Sequence, residues 1–244
     1  MNKLHKVFFI SAIFLCFLTS CNGKNTFNGN IFLTTRVNKT SSLITEHSAD
    51  QNYLKINTSP VLIVIDPGHG GDDDGCSHKD IVDEKELTLV VACLVRDNLI
   101  NMGYQVIMTR DKDAHLDLDE RVQKANQLMC DLFVSIHFNS AKNTKAHGIE
   151  VFYCDCADKF KKEESKEVAE NILEKLIYFT KAKSRGVKIA NFRVIKNTKM
   201  PAVLVEGGFL SNNEERAKCQ DSLYQEVLAW GIARGVHEYL KKKI

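Results

Sequence analysis

The chain has almost no excess charge of either sign. It carries 33 basic and 31 acidic side chains over 244 residues, and residues 1–20 hold the basic surplus, Lys3 and Lys6, with no acid. What remains is balanced, so the basic excess that a nucleic-acid partner requires is missing. The Lys241-Lys242-Lys243 tail reads more simply as a solvated helix end, where cations are favourable. A run of bilayer length is also missing: the apolar stretch from Val7 to Leu18 falls short of the roughly 20 residues that a membrane helix needs. There is no internal repeat, no compact His-Glu-x-x-His, and no Gly-Lys-Ser/Thr ending to the glycine-rich segment Gly68–Gly75. That segment instead contains Asp72-Asp73-Asp74, which would repel phosphate. The low apolar content of a disordered chain is absent too, since 44% of the residues are hydrophobic, enough for one substantial core.

The first twenty residues have the form of a secretory signal: two lysines, then a short apolar core. The core closes on Leu18-Thr19-Ser20-Cys21, which resembles a bacterial lipobox and implies that Cys21 is the lipidated first residue of the mature chain. An ordinary secretory signal with a chance cysteine is the alternative, and both imply export. Residues 21–60 are rich in Asn, Thr, Ser and Lys without sustained periodicity, as expected of a lipidated N-terminus and flexible tether. Of the eight cysteines, Cys16 lies in the signal and Cys21 would carry lipid, leaving six. Cys93 and Cys130 are expected as buried thiols, and Cys154-Asp155-Cys156 is too tightly spaced to bridge itself easily.

From Val61 onward strand and helix patterns alternate. Strands are expected at 61–65, 104–109, 132–138, 148–154, 193–196 and 202–206. Helices are expected at about 84–102, 117–129, 158–180 and 223–242, with a loop before the last. Gly103 is placed to stop the first helix and Asp117 to cap the second. Such alternation implies one α/β domain over residues 61–244, with a mostly parallel sheet and helices on both faces.

Four residues stand out within it. His69 sits in a glycine-rich turn after Val61-Leu62-Ile63-Val64-Ile65-Asp66-Pro67, at a strand's carboxyl end, where open α/β sheets place their chemistry. In Leu132–Asn139 the period of two puts Ser135, His137 and Asn139 on the face opposite Leu132, Val134, Ile136 and Phe138. His137 taken alone would ordinarily be a satisfied strand histidine. Glu84 opens a helix, where a carboxylate favours the positive end in any case. Glu206 ends an apolar run before Gly207-Gly208, so its carboxylate is expected to face a cleft. Together, His69, Glu84 and His137 supply three zinc ligands and leave a position for water, with Glu206 as the proton-transferring carboxylate. Spacing leaves Asp72, Cys76, His78 and His147 open as rival ligands.

The ordered set Ile65-Asp66-Pro67-Gly68-His69-Gly70-Gly71, Glu84–Leu89, Met108-Thr109-Arg110-Asp111, Ser135–Asn139, Asn197–Pro201 and Val205–Asn212 resembles the zinc-dependent N-acetylmuramoyl-L-alanine amidases of the amidase_3 type. The resemblance covers about Val61 to Leu240 and implies an α/β fold with a mixed, mostly parallel sheet of about six strands flanked by helices. It implies zinc on His69, Glu84 and His137, a catalytic role for Glu206, and cleavage of the amide between N-acetylmuramic acid and L-alanine of the peptidoglycan stem peptide. Three departures stand out: Phe138 where a small residue is common, Gly207 where a larger apolar one is common, and the acidic Asp72-Asp73-Asp74. Only Ser140–His147 separates the His137 strand from the next, too short for the blocking insertion of some division amidases, which implies an open cleft.

The partners expected are peptidoglycan and, through Cys21, a membrane at the periplasmic face of the envelope. Nucleic acid is not expected, the domain is expected to be a monomer, and a protein activator stays open. Two other functions stay open: a zinc peptidase acting within the stem peptide, and a non-catalytic peptidoglycan-binding lipoprotein.

Overall fold

The computed structural model describes residues 60–76 and 83–243. The expected signal peptide and nearly all of the tether, like His78, lie outside the described residues. Among the described residues no helix is long and apolar enough to cross a membrane.

Six strands form one sheet: β1 (Leu62–Pro67), β2 (Gln105–Met108), β3 (Leu132–Asn139), β4 (Ile149–Tyr153), β5 (Ser184–Ile189) and β6 (Ala202–Phe209), in the order β2-β1-β3-β6-β4-β5. β2, β1, β3 and β6 run parallel, while β4 pairs antiparallel with β6 and parallel with β5. The sheet is therefore mixed and mostly parallel, as expected. Its central strands are near-continuous apolar runs because helices cover both faces. Ile63, Ile65, Val134, Ile136, Val203 and Val205 face a large core with α1 (Glu84–Asn101), α3 (Lys159–Thr180) and α6 (Ser222–Lys241). Val64, Phe133, Ala202 and Leu204 face a smaller one with α2 (Leu118–Leu128) and α4 (Arg193–Asn197).

The helix ends follow local chemistry. Gly103, at φ +93°, follows α1 and its N–H donates to Ile100 O at 2.9 Å. Asp117 is the N-cap of α2, and its N–H donates to Glu120 Oε2 at 2.9 Å.

Three expectations are corrected. Residues 193–196 are not a strand but α4, held by the buried pair Val194 and Ile195, with the Lys161 ammonium on the Ile195, Lys196 and Thr198 carbonyls. The sixth strand is β5, at 184–189. The loop before the last helix contains α5 (Asn213–Gln220), N-capped by Asn212, whose Oδ1 accepts the N–H groups of Glu214 and Glu215. The lysine tail ends α6 exposed, as expected, and Lys243 pairs at the surface with Glu164 and Glu167 of α3. Among the described cysteines all six are free thiols; Cys130 is buried and Cys93 half-buried.

A buried polar cluster fixes the end of β1. Asp66 is fully buried and takes Arg121 Nη1 at 2.9 Å, Thr109 Oγ1 at 2.6 Å and Ser135 Oγ at 2.8 Å. Arg121 also donates to the carbonyls of Pro67 and His69, each at 2.6 Å. Arg110 donates to Pro67 O at 3.1 Å and Gly68 O at 2.7 Å. Two buried guanidinium groups thus hold three successive carbonyls at the carboxyl edge of the sheet. Removing one partner from such a buried ion pair generally costs about 3–5 kcal/mol, because the other charge is stranded.

Candidate metal centre

His69 follows directly from that clamp. Its φ of 61° is uncommon for a residue with a side chain, and Gly70 and Gly71 continue the positive-φ turn. The turn aims the imidazole back over β3. Glu84 opens α1 with a side chain only 2% exposed, and His137 stands near the end of β3.

Donor atoms of His69, Glu84 and His137 all lie within 4.8 Å of one another. Glu84 Oε1 is 3.2 Å from His69 Nε2 and 3.0 Å from His137 Nδ1, and accepts the Phe138 N–H at 3.0 Å. Glu84 Oε2 accepts the Cys76 N–H at 2.9 Å. Burial alone would raise the Glu84 carboxyl, but hydrogen bonds and charge from His137 and His69 outweigh it and hold the group well below the usual carboxylate range. For His69, burial lowers the pKa, and the nearby Glu84 and Asp73 carboxylates more than reverse this.

Asp73 is a part of the site that the sequence did not reveal. Its Oδ2 accepts from His69 Nδ1 at 2.8 Å, which turns Nε2 toward Glu84. A carboxylate behind a ligating histidine in this way fixes its tautomer and orientation. Asp74 pairs with Lys85 at 2.6 Å, so the acidic loop orients His69 and anchors itself to α1. Among the rival ligands, His147 bonds Lys145 O and is exposed, Asp72 is exposed, and Cys76 gives Glu84 its backbone N–H, while burial and the Glu84 charge push its thiol up to about 12.

Gly68 sets the spacing. A Cβ there would fall 2.2 Å from His137 Cε1, so the imidazole fits only because β1 ends without a side chain at this point. Phe138 and Gly207 are complementary in the same sense. A Cβ on Gly207 would lie 2.9 Å from the Phe138 ring, so the large residue on β3 fills the space left by the small one on β6.

Glu206 is the register partner of His137 across the β3–β6 pair. Its Oε2 is the one buried side-chain oxygen or nitrogen without a hydrogen-bond partner among the described residues. Burial first, and then the charges of Glu84 and Glu150, push its pKa well above 4.5. A buried carboxylate oxygen left unpaired beside two imidazoles and a carboxylate suits a site that receives a cation, water or substrate; the donor set itself suits zinc.

A family model for N-acetylmuramoyl-L-alanine amidases, Amidase_3, matches residues 63–238. The chain belongs to this family. Over 190 residues it is 36% identical to the N-acetylmuramoyl-L-alanine amidase LytC of Bacillus subtilis (strain 168), a match covering 78% of this chain and 38% of LytC. The crystal structure of an N-acetylmuramoyl-L-alanine amidase from Clostridium difficile 630 superposes with a TM-score of 0.73 at 36% identity, covering 77% of this chain and 100% of that one. The CwlD amidase from Clostridioides difficile, solved in complex with the GerS lipoprotein, gives 0.70 at 33% identity, covering 75% and 99%. The amidase domain thus spans the whole of the described sheet.

The geometry of this cluster generates two predictions. Gly68→Ala is expected to displace His137 and weaken zinc binding by about tenfold or more, the usual scale for disturbing a ligand's support; competition against a chromophoric chelator measures it, and unchanged affinity would remove His137 from the donor set. The second concerns pH. Native Glu206 keeps its proton where the unfolded chain, with a carboxyl near 4.5, has lost it, so between 4.5 and the raised pKa stability falls as pH rises. Metal-free Glu206→Gln is therefore expected to melt above wild type at pH 7 and to converge with it below that range. Equal melting temperatures at pH 7 would show that the carboxylate is not desolvated.

Proposed function

We propose that the protein hydrolyses the amide joining the lactyl group of N-acetylmuramic acid to L-alanine of the stem peptide, using zinc on His69, Glu84 and His137 and Glu206 as the base. The observation that carries this reading is the unpaired, buried Glu206 carboxylate in register with His137, in a chain of this amidase family. Bound zinc supplies a Lewis acid, which polarises a carbonyl and lowers the pKa of water.

The chain's own residues do the rest. Glu206 takes a proton from the attacking water and returns it to the nitrogen as the carbon–nitrogen bond breaks, so the products are a lactyl carboxylic acid and a peptide with a free amine. Its burial keeps it a stronger base than an exposed carboxylate. Asp73 holds the His69 ring in one orientation, and the clamp of Arg110 and Arg121 fixes the backbone that presents it.

The proposal includes export and lipid attachment at Cys21, supported by the apolar core and the Leu18-Thr19-Ser20-Cys21 sequence. Tethering a monomeric domain to a membrane beside its polymer would raise the effective concentration of substrate.

Purified peptidoglycan treated with zinc-loaded protein is expected to release peptides that begin at L-alanine, identified by mass spectrometry, with loss of activity on chelation. Glu206→Gln is expected to lower the rate about 10²–10⁴-fold, the usual contribution of a positioned base, while still binding zinc. Peptides cut within the stem would replace this reading with a peptidase, and an undigested wall would replace it with a binding lipoprotein. For the anchor, an alkyne fatty acid fed to expressing bacteria is expected to label the full chain but not Cys21→Ser. Equal labelling of both would place the lipid elsewhere.

A further inference from the structure

The row of side chains containing His137 and Glu206 continues across the sheet beyond the residues assigned to catalysis. Glu206 pairs in register with Glu150 of β4. Beyond β4, Ile149 pairs with Ser184 and Val151 with Val187, so two residues of β5, Arg185 and Gly186, oppose Glu150 alone. This is a bulge, with Gly186 at φ +88°, and bulges re-aim the side chains they carry. Here the side chain is Arg185, whose Nε donates to Glu150 Oε2 at 2.8 Å. Lys188 reaches the same oxygen, and Asn139, two residues beyond His137, donates to Glu150 Oε1 at 2.7 Å.

Glu150 is buried and its oxygens are all engaged, so its single negative charge is met by two cations. One positive charge is left over at this end of the row. The cations are not enclosed: the Arg185 side chain is 28% exposed and that of Lys188 39%, with the guanidinium stacked 4.7 Å from the Phe209 ring centroid. Nearer the metal donors, Glu206 and, from α1, Glu84 are acids that offer a peptide carboxylate no counter-charge. The Arg185–Lys188 edge offers one.

Resting on the amidase reading above, we propose that Arg185 and Lys188 form a subsite for a carboxylate of the stem peptide on the leaving-amine side of the scissile bond. The dimensions fit. Neighbouring strands are about 4.8 Å apart, which puts β5 roughly 10 Å from β6. An extended peptide advances about 3.3–3.6 Å per residue, so a carboxylate borne by its second residue reaches that distance from an amide beside Glu206. The sugar then lies toward the opposite flank, the small cleft lined by His115, Leu118 and Val194.

Two synthetic N-acetylmuramoyl tripeptides that differ only in whether the second residue's carboxylate is free or amidated test this with the zinc-loaded full chain. Wild type is expected to show a KM about tenfold lower for the free acid, with similar kcat. In Lys188→Gln the ratio of the two KM values is expected to fall toward one, and in Lys188→Arg to be restored. A cation needed only to neutralise Glu150 would shift both substrates together and leave the ratio intact; that result, or a wild type indifferent to amidation, overturns the subsite while leaving the amidase reading in place. Failure to cut the lactyl amide of either substrate overturns the amidase reading, and the subsite with it.

Discussion

The buried ion pair between Asp66 and Arg121 is the constraint on which the site depends. A carboxylate at the end of a central strand is costly in an apolar interior unless its charge and lone pairs are met. Asp66 is met by Arg121, Thr109 and Ser135, which come from α2, the end of β2 and β3. The same Arg121 then reaches forward to the carbonyls of Pro67 and His69. Satisfying one buried charge therefore ties three elements together and holds the backbone that presents His69. Arg110 repeats the device from the other side, on Pro67 and Gly68. A histidine at positive φ is strained, and it persists here because its preceding carbonyls have nowhere else to go.

The clamp explains why the charged residues sit at one edge. β1, β3 and β6 run parallel, so their carboxyl ends coincide, and each contributes a polar residue just where its apolar run stops: the turn to His69, His137 and Glu206. β4 runs the other way, and its first residues rather than its last meet this edge. Glu150 is thereby set opposite Glu206, although the two strands reach that level from opposite directions. Glu206 is left unpaired among acidic neighbours, a destabilising arrangement that a purely structural residue would not retain.

Much of this was legible in the sequence, and the parts that were not have physical causes. Long apolar runs marked β1, β3, α1 and α3 to within two residues at each end, and β6 at its start but three residues short of its end. Arg193–Asn197 misled because a charged pair flanking Val194-Ile195 suits either a short strand or one helical turn, and its burial is decided by Lys161, far away in sequence. β5 was missed because it is polar, half-exposed and broken by Gly186, with no periodic apolar face. α5 has only Ala217 and Cys219 as apolar residues and rests on its cap. His69, His137 and Glu206 were visible because they end or interrupt apolar runs, and Glu84 because it opens the helix after the His69 loop. Asp73, Arg121, Arg185 and Glu150 were not, since exposed acids and arginines are common and only the fold shows what they touch.

The finest geometry of the site is set less by the ligands than by side chains that are missing. Consecutive residues of β3 point to opposite faces, and each lies against a glycine in or just after a neighbouring strand. His137 fits because the residue that follows β1 is Gly68, and Phe138 fits because β6 has Gly207. On one face the space is given to an imidazole, and on the other to a ring that completes the core over α1 and α6. A larger residue at position 207 would have to push Phe138, and with it the backbone N–H that Glu84 accepts at 3.0 Å. The departures at Phe138 and Gly207 are therefore one compensated exchange, which keeps the Glu84 carboxylate and the His137 ring in place while the core beneath them is repacked.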